Sequence, residues 1–192
     1  MHILDKQMLQ WASKLRDDLK ISIHESNQLA TTISTEVATL TDAAKQRIIA
    51  ASPINIDDRL DELTAFQAWM DFARNIKGNP PLTRAQVITQ LYVCFVYLGE
   101  SWFKTLRKEL ASGSTTKKCC IFLTDNPVRA FRNAIAHANW RYKSDFSGLE
   151  FWAKKGSDPN EPLSFFEVSD NELAFWQTLA RCTAYASFLS LK

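Results

Sequence analysis

Apolar side chains recur along this chain at intervals of three and four, the spacing that predicts amphipathic helices. Leu4, Met8, Ala12, Leu15 and Leu19 make one such stripe, and Ala30, Ile33, Val37, Leu40 and Ala44 another. The polar stretch 24–28 between them either breaks the region into two helices or lies on one long one. Ser52-Pro53 ends the segment, because the residue before a proline avoids the α region. Asp57 and Asp58 suit the positive end of a second helix. Its apolar stripe is Leu60, Leu63, Phe66, Trp69, Met70 and Ala73, and it stops near Gly78, ahead of Pro80-Pro81. Thr83 and Gln86 have capping-box spacing for a third helix, which takes in the apolar run 91–98 and continues amphipathically through residues 101–110.

Residues 111–118 read as a loop. Asn126 then caps a fourth helix and Pro127 takes its first position, with the helix running through residues 128–140. After it the period changes. Residues 148–155 and 162–168 are aromatic-rich and separated by a turn cluster at 156–160, which predicts a small β-hairpin spanning about 145–168. Ser169 and Glu172 have capping-box spacing for a last helix that turns Leu173, Trp176, Leu179, Ala180 and Phe188 to the core. Phe151, Trp152, Phe165, Phe166 and Trp176 read as core between hairpin and helix. The pattern as a whole predicts a mainly α fold: a single domain over residues 1–192, with a bundle of about five helices, an N-terminal helical region at 1–52 packed on it, and a β-hairpin before the last helix.

Composition sharpens this picture. Apolar residues make up 46% of the 192-residue chain, enough for a core, while Gly (5) and Pro (6) are scarce, as long helices require. Asp5 and Lys6 stand where a signal peptide needs its apolar centre, and the run 91–98 is too short to span a bilayer. The four cysteines, Cys94, Cys119, Cys120 and Cys182, form no CxxC pair and no secreted-type framework. A reducing cytoplasm is the simplest compartment, and no membrane partner is expected. There is no Gly-rich phosphate loop and no HExxH motif, so neither a cofactor nor a metal is expected. Charge is uneven: residues 101–156 hold eleven Lys/Arg against four Asp/Glu, within a chain whose net charge is only +2. Either one face meets an anionic partner, or this is a solvated basic face.

The candidate chemistry lies on the fourth helix, in Arg132-Asn133-Ala134-Ile135-Ala136-His137. Asn133 and His137 are four apart and share a face, about 6 Å apart along the axis. The long side chain of Arg132 can reach back towards them, and Ala134, Ala136 and Ala138 leave room for a second chain or a ligand. Such a group suits RNA cleavage. The 2′-OH supplies the nucleophile, histidine moves protons near neutral pH, and the arginine fork matches phosphate oxygens. Asparagine can orient the imidazole or bond the phosphate. One helix offers one imidazole, so a homodimer that brings two His137 together would supply both acid and base. Trp140, Arg141 and Tyr142 could stack on bases, or cover the end of the bundle; Lys117 and Lys118 could contact phosphates, or be a solvated loop. Bland alternatives remain for the central residues also: a satisfied buried or interface histidine, and an Arg132 that caps the helix or pairs with Asp125.

The string RNAIAHANW resembles the R-x(4–6)-H motif of the HEPN superfamily, and a late motif helix followed by a short hairpin and a closing helix is similar to a plasmid- and defence-associated group of that superfamily. The resemblance covers roughly residues 120–190; the first half is similar only in being helical. It implies a HEPN-like bundle and a metal-independent endoribonuclease of toxin–antitoxin or antiviral defence systems, acting as a homodimer with the site at its interface. Arg132 and His137 would be catalytic and Asn133 supporting, with RNA as substrate and an antitoxin or defence-system protein as partner. A non-catalytic HEPN module that binds RNA, a nucleotide or a protein is the alternative. HEPN toxins controlled by nucleotidyltransferase antitoxins often have a longer spacer and a tyrosine two after the histidine. Asn139 stands there in this chain, so that mode of control is not implied.

Overall fold

Polar caps cut the N-terminal stripe into short helices. The computed structural model describes residues 3–52, 100–145, 147–154 and 160–191, with the helical positions Asp58, Asp61, Thr64, Ala65 and Ala68. The rest of the second helix, the third helix as far as residue 99 with the run 91–98, and most of the turn cluster at 156–160 lie outside the described residues. Helix α1 (Ile3–Met8) passes through a 3-10 turn (Leu9–Trp11) into α2 (Ala12–Leu19), which ends where Lys20 adopts a left-handed conformation. Ser22 caps α3 (Ile23–Asn27) in a capping box with Glu25. Helix α4 (Leu29–Ala38) follows, and the Thr41 hydroxyl accepts from the Ala44 N–H to start α5 (Asp42–Ala50). Of the expected stripes, Met8, Leu15, Leu19, Ala30, Ile33, Val37 and Ala44 are buried, with Leu4 and Leu40 partly so. The buried Asp5 carboxylate accepts from the Ala30 N–H (2.7 Å) and the Thr31 hydroxyl (2.9 Å), which ties α1 to the first turn of α4.

Helix α6 (Glu100–Glu109) buries Trp102, Phe103 and Leu106. The expected loop at 111–118 is only half a loop, because α7 starts at Thr115 and runs to Thr124. Two groups supply the partners its first N–H groups need. The Ser114 hydroxyl accepts from Lys117, and the Glu36 carboxylate on α4 accepts from Thr115 (2.9 Å) and Thr116 (2.7 Å). Glu36 is 79 residues from Thr115 in sequence, so local reading could not find it. The fourth predicted helix is α8 (Val128–Ala136). Pro127 rather than Asn126 occupies the capping position, and no side chain caps the helix; the Asp125 carbonyl receives the Arg129 N–H instead (3.0 Å).

The expected hairpin is two strands of a three-stranded antiparallel sheet. β1 (Trp140–Tyr142), β2 (Gly148–Lys154) and β3 (Leu163–Ser169) lie in that order, with Trp140 opposite Phe151 and Phe151 opposite Phe166. Trp140, Tyr142, Leu149, Phe151, Ala153, Phe166 and Val168 pack on the core. The alternate positions point away from it. At Gly148 the strands come so close that a Cβ would lie 2.0 Å from the Val168 carbonyl oxygen.

The final helix α9 (Asp170–Leu191) runs through the middle of the molecule, with Leu173, Trp176, Leu179, Ala180 and Phe188 buried as expected. Only half of its predicted capping box forms: Ser169 accepts from the Glu172 N–H (3.2 Å), while the Glu172 carboxylate turns to Lys14 and the Trp176 indole. The Ser34 hydroxyl donates to the Ala186 carbonyl (3.2 Å), so the N-terminal helices close over α9. Buried residues from Met8 to Leu191 join one core. Among the described residues the architecture is therefore mainly helical with one small sheet, and no helix is long and apolar enough to cross a membrane.

Candidate functional site

Helix α8 is held by one face and partly exposed on the other. Val128, Ala130, Phe131 and Ala134 are buried, and Phe131 meets Phe151 of β2 and Trp176 of α9 edge-on, with ring centroids 5.3 and 5.7 Å away. This contact locks the rotation of α8 about its axis. The opposite stripe is therefore fixed too, at Arg129, Arg132, Asn133, Ala136 and His137, spaced by threes and fours. Arg129, Arg132 and Asn133 are half-buried, while Ala136 and His137 are exposed. Arg129 was not among the expected site residues, although the same spacing rule, run one turn back from Arg132, would have found it.

The histidine is not inside the helix as the sequence suggested. Helix α8 ends at Ala136, and His137 is its C-terminal cap. Beyond it Ala138 takes a left-handed conformation (φ 55°). The Ala138 N–H bonds to the Ile135 carbonyl (3.3 Å) and the Asn139 N–H to the Ala134 carbonyl (2.8 Å), the pair of bonds that makes a Schellman motif. The helix stops because Asn139 must enter the sheet, where its carbonyl accepts the Trp152 N–H (3.0 Å). His137 thus sits at the corner between helix and sheet, still about one turn beyond Asn133. Among the described residues, neither the His137 imidazole nor the Asn133 amide makes a side-chain hydrogen bond.

The other expected site residues stand on other elements, Trp140 and Arg141 on β1 and Lys117 and Lys118 on α7. Trp140 faces the core from β1, partly buried and edge-on to Tyr142, so its ring helps cover the bundle end. Arg141 points the other way, largely exposed, and pairs with Glu150 across the strands (2.6 Å). Lys117 and Lys118 stand on the first turn of α7, not in a loop. The Lys117 ammonium donates to the Leu110 carbonyl (3.0 Å) and the Lys118 ammonium to the Lys20 carbonyl (2.8 Å). Both lysines therefore fasten carbonyls at the ends of other helices. Asp125 pairs with Arg107 (3.2 Å), not with Arg132. Trp152 and Phe165, expected in the core, lie on the outer face of the sheet, and Phe165 is 78% exposed.

Cys119, Cys120 and Cys182 are free and buried. Burial pushes the Cys119 thiol up to about 12 and the other two well above the ordinary thiol range, and a thiol that stays protonated is a poor nucleophile. A cleft of about 450 Å³ lies elsewhere, lined by Glu36, Thr41, Arg47, Glu109 and Ser114 among others. In its lining the Arg47 guanidinium and the Glu109 carboxylate pair through two bonds (2.8 and 2.7 Å). No family model matches the chain, and no curated protein and no solved structure does either.

Proposed function

We propose that this protein is a HEPN-like, metal-independent endoribonuclease whose site is shared by two copies meeting along the open stripe of α8. The observation that carries the reading is the grouping, along one stripe of α8, of two half-buried arginines, a half-buried asparagine and an exposed imidazole. The exposed Ala136 in that stripe allows close approach of a second backbone. One His137 takes the proton from the RNA 2′-OH as the new O2′–P bond forms. The partner copy's imidazole protonates the 5′ oxygen as the P–O5′ bond breaks, leaving a 2′,3′-cyclic phosphate and a 5′-OH. Arg132, with Arg129 one turn back, offers donors to the phosphorane oxygens as their charge grows. Asn133 is placed to orient the imidazole or to bond a phosphate oxygen. A role in phage defence or toxin–antitoxin growth arrest fits such an activity and stands on the motif's resemblance alone.

The test is incubation of the purified protein with tRNA and total RNA in EDTA, beside Arg132→Ala and His137→Ala. Cleavage with cyclic-phosphate ends, lost in both variants, is the expected result. Cleavage that needs added divalent metal overturns the mechanism. Retention of RNA with intact products replaces the nuclease with a non-catalytic binding module.

A further inference from the structure

The two edges of the sheet differ. β1 offers only three residues, with the charged Arg141 in the middle. Short, charged edge strands resist pairing with another chain. β3 at the other edge has seven residues, Leu-Ser-Phe-Phe-Glu-Val-Ser, with one charge. That charge, Glu167, pairs with Lys143 just after β1, so it leans back over the sheet and does not guard the edge. Beside it Phe165 is 78% exposed and Leu163 47%.

The register shows which backbone groups of β3 are open. The Lys143 N–H donates to the Gly148 carbonyl and the Trp152 N–H to the Asn139 carbonyl (both 3.0 Å). Hydrogen-bonded pairs alternate along an antiparallel ladder. Gly148, Glu150 and Trp152 therefore bond towards β1, and Leu149, Phe151 and Ala153 towards β3, where their partners are Val168, Phe166 and Ser164. The N–H and C=O groups of Leu163, Phe165 and Glu167 point away from the sheet. Among the described residues no hydrogen bond reaches them.

Open groups alternating along an extended backbone fit another strand, and β3 of a second copy fits by symmetry. With two β3 strands antiparallel about a two-fold axis at Phe165, Phe165 of one copy lies opposite Phe165 of the other, and Leu163 opposite Glu167. Each outward N–H then meets an outward carbonyl of the other copy, with none left over. An axis at Glu167 would set two carboxylates against each other. An axis at Phe166 would set Leu163 opposite Ser169, where the chain leaves the strand for α9. The axis at Phe165 also joins the rings of the outer face. Trp152 is the cross-strand partner of Phe165, with ring centroids 6.2 Å apart, so the joined sheet carries a row of Trp152, Phe165, Phe165 and Trp152. Cross-strand aromatic pairs of this kind stabilise a sheet.

We infer that two copies of this chain pair through β3, antiparallel about Phe165, into one continuous sheet. The interface uses no residue of the α8 stripe, so it stands or falls apart from the nuclease reading. Phe165→Cys tests the register. Cα atoms of a hydrogen-bonded antiparallel pair lie about 5.5 Å apart, within disulfide range. Oxidation with copper phenanthroline should link Phe165→Cys into a dimer on non-reducing gels, above the background set by the unsubstituted protein. Glu167→Cys should link at least ten-fold more slowly, because its two copies stand about 14 Å apart along the strands. Phe165→Lys sets two ammonium groups face to face, at a position exposed enough to leave the circular dichroism unchanged. It should lower the mass measured by sedimentation equilibrium two-fold. No linking through Phe165→Cys, linking through Glu167→Cys that is as fast or faster, or a mass that Phe165→Lys leaves unchanged overturns the pairing.

Discussion

The Asn139 amide donates to the Ala134 carbonyl at 2.8 Å, and this one bond folds the chain back over the end of α8 and leaves His137 at the corner. The bond requires a left-handed residue between helix and strand, and the chain uses Ala138 there (φ 55°) rather than glycine. An L-residue with a Cβ is disfavoured in that conformation by about 1–2 kcal/mol. Glycine relieves that strain at some cost in unfolded-state entropy. Ala138→Gly is expected to raise stability by about 0.5–1 kcal/mol, and Ala138→Val to lower it, as read from urea midpoints. A drop in stability with glycine would mean that the Schellman turn does not govern this corner.

The Phe131 ring sets the rotation of α8. It is fully buried between Phe151 and Trp176. Phe131→Ala is expected to cost about 3–5 kcal/mol, and Phe131→Leu less, because leucine refills most of the volume. In the leucine variant any RNA cleavage should fall although no residue of the open stripe has changed. Full activity there would show that ring packing does not position the stripe.

Glu36 holds the start of α7 through Thr115 (2.9 Å), Thr116 (2.7 Å) and the Thr116 hydroxyl (2.5 Å). A carboxylate at a helix N-terminus is favoured by charge as well as by its hydrogen bonds. Glu36→Ala is expected to destabilise the protein by about 2 kcal/mol in thermal melts, and Glu36→Gln by less. A loss no larger than that of an exposed substitution would contradict the cap.

Glu25 gives a pH signature. The Ser22 hydroxyl first and the Thr115 hydroxyl second (2.5 Å) hold its carboxyl down at about 2, against an ordinary 4.5. A depressed carboxylate contributes stability above its unfolded value and loses it as pH falls through the folded one. The contribution is therefore complete above about pH 5 and disappears towards pH 2. Screening by solvent at this partly exposed site holds it to about 1 kcal/mol. The stability gap between the parent protein and Glu25→Gln should close over that window. A gap constant from pH 6 to pH 2.5 would rule the linkage out.

The cysteines offer a chemical check. With thiols at 119, 120 and 182 buried and held protonated, iodoacetamide at pH 8 should leave all three unmodified in the folded protein. In denaturant it should label them readily, as peptide mass spectrometry would read. Fast labelling of Cys119 without denaturant would show that the α7–α9 packing opens.

Periodicity alone revealed α8, α9 and the two long strands, because each has an apolar face that one local rule can detect. What escaped it was set by distant partners or by short length. Glu36 caps a helix whose first turn reads as the end of a loop. β1 has only three residues, too few to show alternation, and it follows a helical run without a proline or glycine to mark the change. The placement of Trp152 and Phe165 was legible but missed. Each sits beside another aromatic, Phe151 and Phe166, and neighbours on a strand must point to opposite sides. One of each pair was bound to face outward. At the candidate site the spacing of Asn133 and His137 survives, although the helix ends between them, since a capping residue keeps nearly the same angular position.

Gly148 carries a warning for anyone mapping this molecule by exhaustive substitution. With the Val168 oxygen 2.0 Å from where a Cβ would stand, every replacement there should abolish folding and so score as intolerant as any catalytic residue. Sensitivity at that position reports crowding between two strands, and only an assay that separates soluble yield from turnover will tell it apart from His137.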